Sequence, residues 1–143
     1  MILIDTAQAR KNLKIDIMSE SYPHLEGGAM ADFKDIMRDR GYWADERWNE
    51  TKHFYTFETG AVIQFISIDK IGKAHGPRRD ILFLNECNNT PYEIYEQLEI
   101  RTKYVIWLDY NPVSEFWYYD KIKGAIDHDF IRLTYLDNEQ CPE

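Results

Sequence analysis

Four large apolar residues, Ile81-Leu82-Phe83-Leu84, run without a polar break, entered through Arg79-Asp80 and left through Asn85-Glu86. Such a run predicts a strand over 80–85 buried on both faces, as in a parallel sheet covered by helices. Residues 103–108 form a second apolar strand, ending at Asp109-Tyr110-Asn111-Pro112. Between them, Thr90-Pro91-Tyr92-Glu93 opens a helix, with Thr90 as cap, Pro91 in the first turn and Glu93 as the capping-box acid. Upstream, Ala29, Met30, Phe33, Ile36 and Met37 recur at helical spacing, so 29–41 is an amphipathic helix stopped near Gly41. Residues 52–57 and 61–68 are rich in β-branched and aromatic side chains and flank Glu58-Thr59-Gly60, a β-hairpin pattern. The remaining elements carry weaker patterns. Residues 1–13 read as the end of a helix, 14–19 as a short strand, and 20–28 and 69–79 as loops by their Pro and Gly content. Ser114 can cap a short helix through 119–122, and 127–135 reads as a final strand.

The order β, α, β-hairpin, β, α, β, α, β predicts an α/β fold of three layers, a mostly parallel sheet plus a β-hairpin. At 143 residues, with 44% hydrophobic and 29% charged positions, the chain is one globular domain with a true core. A formal charge of -8 argues against a general nucleic-acid coat. Lys73, His75, Arg78 and Arg79 form a compact basic loop that could touch phosphates. Cys87 and Cys141 match no metal spacing or disulfide framework, so a reduced cytosolic setting is the default. No apolar run reaches membrane length, and the four histidines are scattered without ligand spacing.

Ligands of open α/β sheets sit outside the carboxyl ends of the strands. The tips Asn85-Glu86 and Asp109-Tyr110-Asn111-Pro112 would share that edge if a right-handed crossover joins their strands. Glu86 could then be a general base or water-positioner in phosphoryl transfer, as at the end of a Walker B strand, or simply an acid at a strand end. Asn85 occupies the place of the Mg²⁺-linked carboxylate of such a strand, where an amide is the poorer hard-cation partner.

The run from Gly76-Pro77-Arg78-Arg79-Asp80 through Asn85-Glu86-Cys87-Asn88 resembles the large terminase subunit of tailed bacteriophages and prophages. So do Tyr92-Glu93, Gln97-Leu98-Glu99-Ile100-Arg101-Thr102, Asp109-Tyr110-Asn111-Pro112 and Glu115-Phe116-Trp117. Further matches are Ser19 to Leu25, Asp32-Phe33-Lys34, and Thr134-Tyr135-Leu136-Asp137-Asn138, so the likeness runs in order along nearly the whole chain. The resemblance implies a P-loop NTPase-like (RecA-like) core and an ATPase that drives viral DNA into preformed capsids as a ring of subunits. It implies ATP and Mg²⁺ as cofactors, double-stranded DNA, the portal and the small terminase subunit as partners, and the host cytoplasm as location. Glu86 would be the catalytic glutamate and Asn85 the Walker B polar position. Asp109, Tyr110, Asn111 and Pro112 would be the coupling motif that senses the γ-phosphate. Arg78, Arg79 and Arg101 are candidates for an arginine supplied to a neighbour's site, each with the alternative of pairing with local acids.

A phosphate cradle needs Gly-x-x-x-x-Gly-Lys-[Ser/Thr], and the chain has none; the nearest fragment, Gly72-Lys73-Ala74, lacks the hydroxyl residue. Residues 1–143 are therefore expected to be the middle and end of a terminase-like ATPase domain, truncated at its N-terminus, without a nuclease domain, and inactive alone. An uncovered sheet edge and self-association follow from that expectation. Two rival readings stand beside it: a non-enzymatic prophage remnant or interaction module that keeps the fold, and a metal-dependent nuclease using Glu86, Asp109 and Glu115.

Overall fold

The computed structural model describes residues 1–70, 77–125, 127–133 and 137. Lys73 and His75 of the basic loop, residues 134–136 and 138 of the last matching segment, and Cys141 lie outside the described residues. The chain forms two compact units, Met1–Pro112 and Val113–Glu143.

The first unit is the expected α/β fold with a mostly parallel sheet. Its strands are β1 (Lys14–Ser19), β2 (Trp48–Asn49), β3 (Phe54–Thr56), β4 (Val62–Ser67), β5 (Arg79–Leu84) and β6 (Thr102–Leu108). They lie in the order β2-β3-β4-β1-β5-β6. β4, β1, β5 and β6 run parallel, while β3 joins β4 as the antiparallel hairpin. β2 adds a short antiparallel strand beyond the hairpin, which the sequence pattern did not reveal.

Helices α1 (Ile2–Ala9), α2 (Tyr22–Gly27) and α3 (Ala29–Asp39) cover one face of the sheet. There Ile4, Leu25, Met30 and Phe33 pack on Ile15, Ile63 and Phe65 in one buried cluster. The alternation of a strand sends Met18, Leu82 and Leu84 to the opposite face. That is the side of α4 (Tyr92–Glu99), which buries Tyr95 and Leu98. The helices on both faces make the three layers.

Two local features tie this sequence to these elements. Helix α3 ends because Gly41, at φ +70, takes the left-handed position that side-chain-bearing residues avoid. The N–H of Gly41 donates to the Arg38 carbonyl at 2.9 Å and that of Tyr42 to Met37 at 2.8 Å, the paired bonds of a Schellman ending. Gly60, at φ +79, lets the hairpin turn press on the α1–β1 turn, where a Cβ would fall 2.4 Å from Asn12 Oδ1.

Several expectations are corrected. Residues 22–27, read as loop, are the helix α2, because Pro23 sits in its first turn, where a missing N–H is harmless. Thr90 does not cap α4: Pro91 occupies the cap position and no side-chain cap bond forms. In the second unit the expected short helix is present as a π-helix, Tyr118–Ile122, with Trp117 rather than Ser114 at its cap. Residues 127–133 form no strand; Tyr118 instead gathers this segment, its hydroxyl 2.9 Å from His128 Nε2 and its ring stacked on Phe130. Ile131 and Leu133 are exposed.

Candidate functional site

β5 enters the sheet between β1 and β6, and its polar tip emerges at the carboxyl edge. The Asn85 N–H donates to the Met18 carbonyl at 2.8 Å, extending β5 by one residue along β1. The chain then turns sharply at Glu86, which adopts φ 53 and ψ 51, the left-handed region. A short 3₁₀ turn, Cys87–Asn89, follows and leads into α4.

Asp109 arrives at the same place from the end of β6. Its Oδ1 accepts the Glu86 N–H at 2.6 Å, and its backbone carbonyl accepts the Cys87 N–H at 2.9 Å. The two polar tips are thus in direct contact on one rim. Asp109 is exposed as a residue, yet its carboxyl is crowded. Burial of that group raises its pKa above the ordinary 3.8; the Glu86 N–H pulls it down and the Glu86 charge pushes it up. Beside them Cys87 is buried, and its thiol is pushed up to about 12, chiefly by burial and then by the Asp109 charge. It is a thiol at neutral pH and no nucleophile.

Asn85 and Asp109 also line a cavity of about 520 Å³ between the sheet and helices α1 and α3. Its lining is apolar, including Ile2, Ile36, Phe83 and Trp107, apart from these two residues and Asp32 of α3. Asp32, which the sequence offers only within the matched run Asp32-Phe33-Lys34, is the acid added here by the structure. That it lines this cavity is visible only in three dimensions.

The candidate arginines separate. Arg79 is buried, its side chain 1% exposed, with Nε donating to Asp16 Oδ2 at 2.6 Å. Its NH1 donates to the Leu98 carbonyl at 3.1 Å and its NH2 to the Pro77 carbonyl at 3.3 Å. The guanidinium is committed to its own unit, as the local-acid alternative requires. Arg78 is exposed, and Arg101 is half-buried with its carbonyl accepting the Arg79 N–H at 3.0 Å. Asn111 and Pro112 are exposed beyond the β6 tip and Tyr110 is half-buried. Glu115 belongs to the second unit.

Among the described residues, no three His, Cys, Asp or Glu side chains come together as metal ligands. No phosphate-cradling motif precedes a described helix. What the rim does provide is a carboxylate held in a defined direction beside a second acid. Among the described residues, no helix is long and apolar enough to cross a membrane.

No protein-family model and no curated protein sequence matches the chain. Solved structures do. The large terminase of a thermophilic bacteriophage superposes with a TM-score of 0.65 at 13% identity, covering 78% of this chain and 29% of that one. The same terminase in complex with ADP gives 0.61 at 17% identity, again over 78% of this chain and 29% of that one. Its complex with ATP-gamma-S gives 0.59 at 12% identity, over 75% of this chain and 27% of that one. The chain spans less than a third of the length of these proteins, and over that span it has the fold of a large terminase.

Proposed function

We propose that the chain is the part of a phage DNA-packaging terminase large subunit that supplies the water-activating and coupling residues of an ATPase site. The contact between Glu86 and Asp109 at the carboxyl edge carries this reading. It unites the two motifs of the sequence resemblance at the place where α/β folds bind ligands, in a fold shared with terminases solved with ADP and ATP-gamma-S. Glu86 is the catalytic glutamate, Asn85 stands in the Walker B position, and Asp109 to Pro112 form the coupling motif. Arg78 and Arg101 remain the arginines able to serve a neighbour; Arg79 serves the fold. ATP, Mg²⁺, double-stranded DNA, portal and small subunit belong to the assembled motor. Positioning and electrostatics supply almost all the catalysis in phosphoryl transfer, so the chain alone, without a cradle, turns over negligible ATP.

The test is the reading frame upstream of the Met1 codon together with a phosphate-release assay. A phosphate-loop motif in that frame, and no Mg²⁺-dependent turnover by the chain alone, are the expected results. Turnover by the chain alone that Glu86→Gln abolishes would contradict the claim of inactivity; an upstream frame without the motif would contradict the motor reading. A second reading, a non-enzymatic remnant or interaction module, draws on Asn85 in place of a carboxylate and on the missing cradle. Thermal stabilisation of the chain by Mg-ATP would count against it. β6 has a neighbouring strand on one side only among the described residues and exposes Tyr104, Val105 and Trp107. Self-association of the isolated chain is the corresponding expectation, and a clean monomer by light scattering at high concentration would refute it.

A further inference from the structure

We propose that Asp109 is the positioning residue of this site: it clamps the Glu86 backbone in the left-handed conformation and so fixes where the Glu86 carboxylate points. Glu86 is one of three residues other than glycine with positive φ among the described residues. In that conformation Cβ crowds the following carbonyl, and only glycine, or asparagine and aspartate through local bonds, adopts it readily. A glutamate stays there when surrounding bonds over-determine it. Asp109 supplies two of them, accepting the Glu86 N–H on its carboxylate and the Cys87 N–H on its carbonyl. Its own N–H donates to the Leu84 carbonyl at 3.3 Å, which anchors the clamp to the end of β5. The Asn89 N–H closes the other side on the Glu86 carbonyl at 3.0 Å.

The amides on both sides of the Glu86 Cα are therefore bonded to one residue of the neighbouring strand. Turning Glu86 to a right-handed or extended conformation would swing the Cys87 N–H away from Asp109. The bond to the carboxylate is charge-assisted, the stronger kind. A movement of the β6 tip is then carried to the Glu86 side chain through the backbone, without Asp109 touching a nucleotide. The meaning of this for catalysis rests on the proposed role of Glu86; the clamp itself does not.

Nitrogen-resolved NMR of the chain tests it without any nucleotide. In the unmodified chain the Glu86 amide proton is expected far downfield and slow to exchange, with Cα and Cβ shifts of a left-handed residue. Asp109→Ala should move that proton upfield, speed its exchange about tenfold, and shift the Glu86 carbons away from left-handed values. Asp109→Asn keeps an accepting oxygen and should retain the left-handed carbon shifts, a rescue that general loosening would not give. Unchanged Glu86 signals in Asp109→Ala overturn the clamp, and so does loss of the left-handed shifts in Asp109→Asn while core methyl signals stay in place. Should Asp109→Ala not fold, the Asn variant decides alone. An upstream frame without a phosphate loop would sink the motor reading and leave this result standing.

Discussion

At the amino end of β5, Arg79 is sunk beneath α4, its guanidinium shared among the Asp16 carboxylate and the carbonyls of Leu98 and Pro77. At the carboxyl end, Glu86 stands half-buried in a left-handed turn, its backbone tied to Asp109 and its side chain at the rim of the sheet. Both ends of one apolar strand carry charge, and in sequence they look alike. The difference lies in satisfaction. The first charge is paired and removed from solvent, so it serves cohesion between β1, β5 and α4. The second is held in a conformation that local forces disfavour, and strain of that kind persists where surrounding structure imposes it.

The largest effect is expected at the amino end. Arg79→Ala leaves Asp16, 8% exposed in its side chain, buried without its partner. Breaking such a pair from one side costs about 3–5 kcal/mol, because an uncompensated charge stays behind. The double variant Asp16→Leu with Arg79→Met removes both charges and should recover most of that loss. Urea denaturation of the three proteins checks this. A single variant that unfolds at the midpoint of the unmodified chain would erase the distinction between the two ends.

What could be read beforehand follows the same division. The β5 run, the hairpin around Gly60 and the α3 periodicity are local patterns, and each became the element it predicted. The tip pair Glu86 and Asp109 was legible because crossover topology places the ends of neighbouring parallel strands on one edge. Asp16 was not, since Lys14-Ile15-Asp16-Ile17 alternates like a half-exposed strand although β1 lies at the centre of the sheet, with Asp16 itself buried. An aspartate there needs a buried cation, and its partner lies 63 residues away. The β6 run Tyr104 to Leu108 was legible as a strand, but not its place in the sheet. It is as apolar as β5 yet lies at the sheet edge among the described residues with most of its residues exposed, and composition alone does not tell a central strand from an edge. The left-handed Glu86 had no signal, because glutamate is not a residue that chooses that conformation.

A smaller effect, of opposite sign, is expected at the carboxyl end. A left-handed non-glycine residue carries roughly 1–2 kcal/mol of strain. Glycine relieves it but brings a more flexible unfolded chain, which takes back about 0.4–1 kcal/mol. Glu86→Gly should therefore be slightly more stable than the unmodified chain, by about 0.5–1 kcal/mol. Glu86→Ala, which keeps a Cβ, should show no such gain. Equal stabilities for the Gly and Ala variants would mean that the turn is not strained. A residue kept at a loss of stability, where glycine would serve the fold better, is one retained for its carboxylate.

The smallest effect concerns how the carboxyl end responds to acid. Asp109 holds its proton more tightly folded than unfolded, because burial raises its pKa above 3.8 by more than the Glu86 N–H lowers it. Through the interval from that value up to the folded pKa, the native state binds more protons than the unfolded one. Stability from this group is therefore fully present at low pH and is lost as pH rises through the interval. Asp109→Asn carries no titration and still offers an oxygen to the Glu86 N–H. Its stability should fall less than that of the unmodified chain as pH rises from about 4 towards neutrality. Denaturation midpoints across that range give the comparison, and a steeper fall in the variant would show that the Glu86 N–H bond, not burial, governs the Asp109 proton. The bond would then be stronger than the crowding around it, and the clamp would favour the charged acid, the form that repels Glu86 and sets the two rim carboxylates apart.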